Sequence, residues 1–387
     1  MKISVLSDFH FGYASGTERE GDSFEAAEEA IGKAMDSDVI IIAGDLFDTR
    51  TPGTETFVRA MEILSKPVFH AKSRARIVNT ISKETNSPLS PGGIPVIAIH
   101  GTHERRVRGF LNPVEALERA GFLTYLHCNG VVLKKGQEIV CVQGMSGVPE
   151  HYAESVLREW DPRPMSGYNI LLFHQSIHPF MYAAHMLELG KIPKGFDLYV
   201  NGHVHEPRKE KYSGAPFLLP GSLIPTQMGR DSLSPKGFFR VDTQNGKIEF
   251  IPLKGQREFY YEDMEGKDRE EIEARIKSIL EKKHAKKPII SIRISGKGAE
   301  IEGIRQKYAD SAILHFIRKP AKEEAREGKT LEEHRLSVRE LGSKILRESL
   351  EKERLDPMVF ENVFEMLEEK RMDEAIRYLR KEKGRRG

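Results

Sequence analysis

Seven residues that can bind a metal recur along the chain in an order that packing does not explain. Asp8 and His10 stand in Asp8-Phe9-His10, Asp45 in Gly44-Asp45, and His103 in Gly101-Thr102-His103-Glu104. His174 follows, and then His203 and His205 in Gly202-His203-Val204-His205. Carboxylate and imidazole donors suit borderline to hard divalent ions such as Mn²⁺, Fe²⁺ or Zn²⁺. The set is too large for one tetrahedral zinc. It suffices for two ions sharing a bridging carboxylate, and pairs of ions ~3.5–4 Å apart are typical of phosphoester hydrolysis. One ion would activate water while both hold phosphate oxygens. Asp45 is the natural bridge, because it is the only carboxylate in the middle of the set. A single Asp or His at a strand end is usually a cap or a satisfied core group, and the other histidines are read that way by default. His100, three residues before His103, is the least safe of those.

Each candidate sits just after a short apolar run: Ile3-Ser4-Val5-Leu6, Val39-Ile40-Ile41-Ile42, Val96-Ile97-Ala98-Ile99, Ile170-Leu171-Leu172-Phe173 or Leu198-Tyr199-Val200. A buried strand ending in a ligand, five times over, places the ligands along one edge of a sheet, where open α/β sheets build their sites. Side chains two apart on a strand share a face, so Asp8 with His10 and His203 with His205 can each converge.

Up to about residue 251 strands alternate with amphipathic helices, such as Phe24–Met35, where Phe24, Ala27, Ile31 and Ala34 recur at helical spacing. Leu46–Leu64 reads as a turn and a further helix, and residues 70–93 as a long basic loop rich in Ser, Pro and Gly. Asn129–Gly144 reads as two strands around Lys134-Lys135-Gly136. Composition shifts at Pro252: a strand at Phe259-Tyr260-Tyr261, a helix over Asp268–Lys283 and a strand over Pro288–Ser295 make a small cap or clamp. From about residue 319 the chain turns charged and helical, with Asp356-Pro357 starting a helix that carries Phe360, Phe364 and Leu367. That tail is either a hairpin packed on its own body or a docking element completed by a partner.

At 387 residues the chain has room for two or three domains and a sizeable core in the first. Charged residues make up 30%, yet the net charge is only +2, so contact with nucleic acid must come from local patches. Arg105, Arg106 and Arg108 follow His103, and Lys72, Arg74 and Arg76 lie in the long loop. Such residues at the mouth of a phosphodiesterase site hold backbone phosphates without reading sequence. The alternative is a solvated charged rim. The two cysteines, Cys128 and Cys141, have no zinc-knuckle or redox spacing, which fits a reducing, intracellular setting. The first residues run straight into a strand and no apolar run approaches the ~20 residues of a membrane span. The expectation is a cytoplasmic, nucleoid-associated protein. The abundance of Glu, Lys and Arg also fits a thermophile.

Asp-x-His, Gly-Asp, Gly-x-His-Glu, His and Gly-His-x-His in this order resemble the calcineurin-like metallophosphoesterase superfamily. Within it, Gly44-Asp45-Leu46-Phe47-Asp48 resembles the double-strand-break repair nucleases, bacterial SbcD and the archaeal and eukaryotic meiotic-recombination-eleven nucleases. The Ser/Thr protein phosphatases follow Gly-Asp with an Asp-Arg-Gly box, which Thr49-Arg50-Thr51 does not supply. The resemblance covers the whole chain. It implies an α/β sandwich of two β-sheets flanked by helices (1–251), a small α/β capping domain (252–318) and a helical segment (319–387) that binds an SMC-like ABC ATPase.

Position by position, the resemblance makes Asp8, His10, Asp45 and His205 the ligands of one Mn²⁺, with Asp45, Thr102, His174 and His203 holding the other. Mg²⁺, Fe²⁺ or Zn²⁺ are alternatives. His103 would not ligate; it would stabilise the transition state or protonate the leaving 3′ oxygen, with Glu104 as its acceptor. The family commonly has Asn where this chain has Thr102, a shorter and weaker donor. Thr102 then ligates directly, works through a water, or leaves the second ion loosely held. The implied activity is 3′-5′ exonuclease and single-strand endonuclease action on DNA ends, by a homodimer. The rival readings are a phosphoesterase for a small phosphodiester or nucleotide, and a DNA-end-binding scaffold with impaired nuclease activity.

Overall fold

Runs of Val, Ile and Leu too short for helices and apolar on both faces become parallel strands buried from two sides. The computed structural model describes residues 1–70, 75–82, 92–106, 110–181, 186–294, 298–318 and 378. In chain order come β1 (Lys2–Leu6), α1 (Asp22–Ala34), β2 (Val39–Ala43), α2 (Thr54–Val68), β3 (Arg76–Ile81), β4 (Val96–Ile99) and α3 (Pro113–Arg119). Next are β5 (Thr124–Tyr125), β6 (Asn129–Lys135), β7 (Glu138–Met145), α4 (Glu150–Trp160), β8 (Tyr168–Phe173), β9 (Ile177–His178) and β10 (Leu187–Glu188). They are followed by β11 (Leu198–Asn201), β12 (Arg208–Tyr212), β13 (Ala215–Leu219), β14 (Gly237–Asp242) and β15 (Lys247–Pro252). A last group holds β16 (Phe259–Asp263), α5 (Arg269–Leu280), β17 (Ile289–Ile294), α6 (Gly298–Tyr308) and β18 (Ile313–Arg318).

Two large sheets form. The first runs β15-β14-β1-β2-β4-β5, with β1, β2, β4 and β5 parallel. The second runs β12-β13-β11-β8-β7-β6-β3, with β13, β11, β8 and β7 parallel. Alternation along each strand divides its side chains between two cores. On β2, Val39, Ile41 and Ala43 face the second sheet, meeting Ile170, Leu172, Leu198 and Val200 among others. Ile40 and Ile42 turn the other way, into a core shared with Phe24, Ala27 and Ile31 of α1 and Ile63 and Leu64 of α2. On the far side of the second sheet, Leu171, Phe173 and Tyr199 pack with Ala153 and Leu157 of α4. The result is helix, sheet, sheet, helix.

Residues 76–81, read from sequence as loop, are a strand at the edge of the second sheet. Ile77, Val78, Thr80 and Ile81 favour extended backbone, and all but Val78, which falls at a bulge, pair with β6, a local preference that overrides the polar surroundings. The group after Pro252 is larger than a strand–helix–strand unit. Asp268 caps the start of α5, accepting from the Glu271 backbone while Glu271 returns to the Asp268 amide. Beyond β17 the chain adds α6 and β18, giving the sheet β16-β17-β18 and its own core of Ile276, Ile279, Ile290, Ile292 and Ile304. The expected helical segment 319–387, with Phe360, Phe364 and Leu367, lies outside the described residues apart from Tyr378. Among the described residues no helix is long and apolar enough to cross a membrane.

Candidate metal centre

All the expected ligands lie just beyond the C-terminal ends of five strands: β1, β2 and β4 of the first sheet, and β8 and β11 of the second. They are therefore not on one sheet edge, as the strand ends alone imply. Two stacked edges meet at the site. Strand alternation does not aim them either, because Asp8 and His10 follow the end of β1 and His203 and His205 follow the end of β11. Left-handed backbone does the aiming: Asp8 (φ 52°), His10 (51°), Asp45 (48°) and His203 (73°) all have positive φ. Such residues cost roughly 1–2 kcal/mol each relative to right-handed backbone and collect at functional sites. The flanking glycines are obligatory. A Cβ on Gly44 (φ 92°) would meet His174 Nδ1 at 2.3 Å, and one on Gly101 would meet Asp45 Oδ1 at 2.1 Å.

Among the described residues the side chains gather into three groups of potential ligands: Asp8–His10–His205, Asp45–His174–His203 and, sharing His10 with the first, His10–Asp48–His103. His203 and His205 thus part company, one to each of the first two groups. Every histidine is held by an outer partner. His10 Nδ1 is 3.0 Å from Asp48 Oδ1, and His205 Nδ1 is 2.6 Å from Thr226 Oγ1. His174 Nδ1 donates to the Ala43 carbonyl at 2.7 Å. Ser176 Oγ donates to Glu150 at 2.7 Å and sits 3.2 Å from His203 Nε2. Each such bond fixes a ring and a tautomer, leaving the other nitrogen's lone pair for an ion.

In the first group, the lone pairs of His10 and His205 Nε2 face each other at 3.3 Å, with Asp8 Oδ1 3.9 and 3.4 Å away. In the second, His174 Nε2 lies 3.2 Å from Asp45 Oδ2. Asp8 Oδ1 and His174 Nε2 are buried and have no hydrogen-bond partner among the described residues. Buried acceptors aimed at one another must share a proton or hold a cation between them. The donors fit divalent metal.

Protonation follows the same demand. Burial alone would raise Asp8, yet His205 beside it and the charge of His174 bring it down to about 2. Burial would likewise raise Asp45, but His174, His10 and His103 hold it far below the usual carboxylate range. His174, which burial would lower, is lifted to about 10 by Asp45 and Asp8. Carboxylates this eager for positive charge are ready-made cation sites. Glu104 is pushed the other way, up to about 8, by burial and by Asp45.

Thr102 Oγ1 is 3.4 Å from Asp45 Oδ2, within the second group's surroundings. The His103 backbone N–H donates to Asp45 Oδ1 at 2.9 Å, while its half-exposed side chain sets Nδ1 2.8 Å from the Asp48 carbonyl. Glu104 is not the acceptor expected for His103. It is fully buried and accepts from the Phe47 and Gly101 amides at 2.7 and 2.8 Å, tying the loop after β4 to the loop after β2. Three supporting residues were not read from sequence: Asp48, Ser176 and Thr226. Only Asp48 carried a signal, as the closing acid of Gly44-Asp45-Leu46-Phe47-Asp48.

Of the basic residues, Arg105 is partly buried with Glu150 and Arg50 among its charged neighbours, and Arg106 lies over the Phe110 ring at 5.2 Å. Arg76 opens β3, three strands from β8 in the second sheet. Lys72, Arg74 and Arg108 lie outside the described residues. His100 is buried against Tyr125 and the Gly147 carbonyl and joins none of the groups.

The sequence profile described as calcineurin-like phosphoesterase matches residues 1–207, a span holding every candidate ligand. The DNA double-strand break repair protein Mre11 of Methanopyrus kandleri is 28% identical over 298 residues, 70% of this chain and 61% of that protein. The Mre11 of Saccharolobus solfataricus is 30% identical over 212 residues, 53% of this chain and 49% of that protein. The Mre11 of Sulfolobus acidocaldarius is 26% identical over 313 residues, 76% of this chain and 75% of that protein. The chain thus spans 61% and 49% of the first two relatives and three quarters of the third.

Proposed function

Because the chain belongs to the calcineurin-like phosphoesterase family, we propose that it is a two-metal nuclease acting on DNA ends in double-strand break repair. The observation that carries the chemistry is the facing of His10 and His205 Nε2 beside Asp8 Oδ1, a buried cluster of donors to metal that a divalent cation would satisfy. DNA as the substrate is supported by the names of the Mre11 relatives. Asp8, His10 and His205 with Asp45 hold one ion; Asp45, Thr102, His174 and His203 hold the other. Two divalent ions there, Mn²⁺ first among candidates, would activate water and neutralise charge on the phosphate oxygens.

The chain's own groups do the rest. Asp48, Thr226, Ser176 and the Ala43 carbonyl hold the four imidazoles in one tautomer each. Glu104 fixes the loop that carries Thr102 and His103. With Nδ1 turned to the Asp48 carbonyl, His103 keeps Nε2 for the leaving oxygen, where it holds or delivers a proton. Arg105, Arg106 and Arg108, and Lys72, Arg74 and Arg76, extend the reading as phosphate contacts. Residues 252–318 would cap the site, and 319–387 would dock an SMC-like ABC ATPase through Phe360, Phe364 and Leu367. A homodimer working at the nucleoid completes the assignment.

Linear duplex DNA and bis(nitrophenyl) phosphate, each incubated with the protein and Mn²⁺, test the proposal. DNA is expected to be degraded. Hydrolysis of the small ester alone would point to a small-phosphodiester enzyme, and binding of DNA without cleavage to a scaffold; either result overturns the nuclease reading. Thr102 supplies a second test. Asn reaches further than Thr, so Thr102→Asn is expected to lower the Mn²⁺ needed for half-maximal cleavage by roughly tenfold, the scale on which site partners tune affinity. An unchanged Mn²⁺ titration would remove Thr102 from the shell of the second ion.

A further inference from the structure

Thr226 belongs to the segment between β13 and β14, and its hydroxyl is 2.6 Å from His205 Nδ1. Accepting that N–H obliges Nε2 to present its lone pair, and Nε2 faces Asp8 Oδ1 at 3.4 Å and His10 Nε2 at 3.3 Å. What holds Thr226 is an unbroken polar chain. Tyr13 donates its hydroxyl to the Thr226 carbonyl at 2.9 Å, and Arg19 donates to Tyr13 Oη at 3.2 Å and to the neighbouring Pro225 carbonyl. Arg19 Nε pairs with Asp22 at 3.3 Å. Asp22 in turn receives Arg257, through Nε at 2.9 Å and a terminal nitrogen at 3.0 Å.

Arg257 stands between β15 and β16, at the entrance to the small sheet, and also donates to the Lys287 carbonyl at 2.7 Å just before β17. The small unit holds the Thr226 segment directly as well. Ser291 of β17 donates to the Met228 carbonyl at 2.6 Å, and Arg230 pairs with Asp263 of β16 at 3.5 Å. Arg19, Asp22 and Arg257 are all buried, between 6% and 8% exposed. Burying two guanidinium groups around one carboxylate is weak evidence for stability and is best attested as a device that fixes one arrangement.

We propose that Thr226 is a positioning residue for His205, and that the chain from Arg257 through Asp22, Arg19 and Tyr13 makes His205 depend on how the small α/β unit is seated. The inference rests on the reading of His205 as a metal ligand. Loss of the Arg257 contact takes from Asp22 one of its two buried guanidinium partners and loosens the seat of Arg19, and with it the hold of Arg19 and Tyr13 on Pro225 and Thr226, while the Ser291 bond to Met228 remains. His205 can then rotate, and the ion held with Asp8 and His10 loses a fixed donor.

Calorimetric titration of Mn²⁺ into the full chain tests this without using catalysis. Thr226→Val, which keeps shape but removes the hydroxyl, is expected to weaken one of the two ions by about ten- to a hundredfold, with Thr226→Ser restoring it. Arg257→Gln is expected to weaken the same ion and to add little on top of Thr226→Val, since both act through one path. If Arg257→Gln does not fold, Ser291→Ala reads the same coupling from the small unit's side. His205→Ala separates the two layers of the argument. If it loses an ion while Thr226→Val binds as wild type, or if the Arg257 and Thr226 effects are fully additive, the positioning chain is overturned and the ligand reading survives. If His205→Ala binds both ions normally, the ligand reading falls and takes the chain with it.

Discussion

Asp45→Asn is expected to abolish cleavage and to leave no tightly bound ion, whereas Asp8→Asn should lose only the ion shared with His10 and His205. Asp45 has neighbours on all sides: His174 Nε2 at 3.2 Å and Thr102 Oγ1 at 3.4 Å on Oδ2, and the His103 amide at 2.9 Å on Oδ1. Its charge also raises His10 and His174, one from each of the first two ligand groups. Asparagine keeps the shape and the contact with the His103 amide but removes the charge that both groups feel. Removing a single preorganised electrostatic group costs a rate on the order of 10²–10³, and losing both ions should exceed that. Calorimetry gives the stoichiometry and an assay on linear DNA the rate. One ion retained by Asp45→Asn at wild-type affinity would exclude the bridge.

His103→Gln should produce the opposite signature, with ions kept and turnover lost. The hydrogen bond from His103 to Asp45 comes from its amide, which survives the substitution, so only the weaker influence of the ring's charge on Asp45 is lost. The side chain is 43% exposed and joins the protein through Nδ1, with its ring edge-on to His10 at 4.8 Å between centroids. A group held at one nitrogen and open at the other is placed to transfer a proton, a role worth about 10²–10⁴ in rate. The expected outcome is a fall of that size in kcat with KM for DNA and Mn²⁺ affinity close to wild type. A parallel loss of Mn²⁺ affinity would make His103 part of the site's framework instead.

The five strands that carry the site were legible because each holds a short apolar run followed within two residues by Gly, Asp or His, a local pattern. Residue type singled out the candidate ligands for the same reason, and Asp8, His10 and His205 converge as one group, Asp45, His174 and His203 as another. Their division between two sheets was not legible, because which strand pairs with which is set by contacts far apart in sequence. β3 was hidden because Ile77-Val78 and Thr80-Ile81 sit amid basic residues, prolines and glycines. Ser176 and Thr226 are ordinary hydroxyl residues whose role exists only once His203 and His205 lie beside them. Glu104 shows the reverse error: adjacency to His103 implied a partnership, yet its carboxylate turns inward to two backbone amides.

The left-handed backbone at Asp8, His10, Asp45 and His203 also constrains how such a centre changes over descent. Asn, Asp and His are several-fold enriched in that conformation and Gly adopts it freely, while β-branched and bulky residues are genuine outliers there. The replacements open to these four positions are thus few, whether or not ions are still needed. A lineage that abandons the chemistry but keeps the loops is expected to drift toward Asn and Gly at these sites, not toward Val or Leu. The loops would then preserve the imprint of the lost metals in their choice of small polar residues, long after the activity itself had gone.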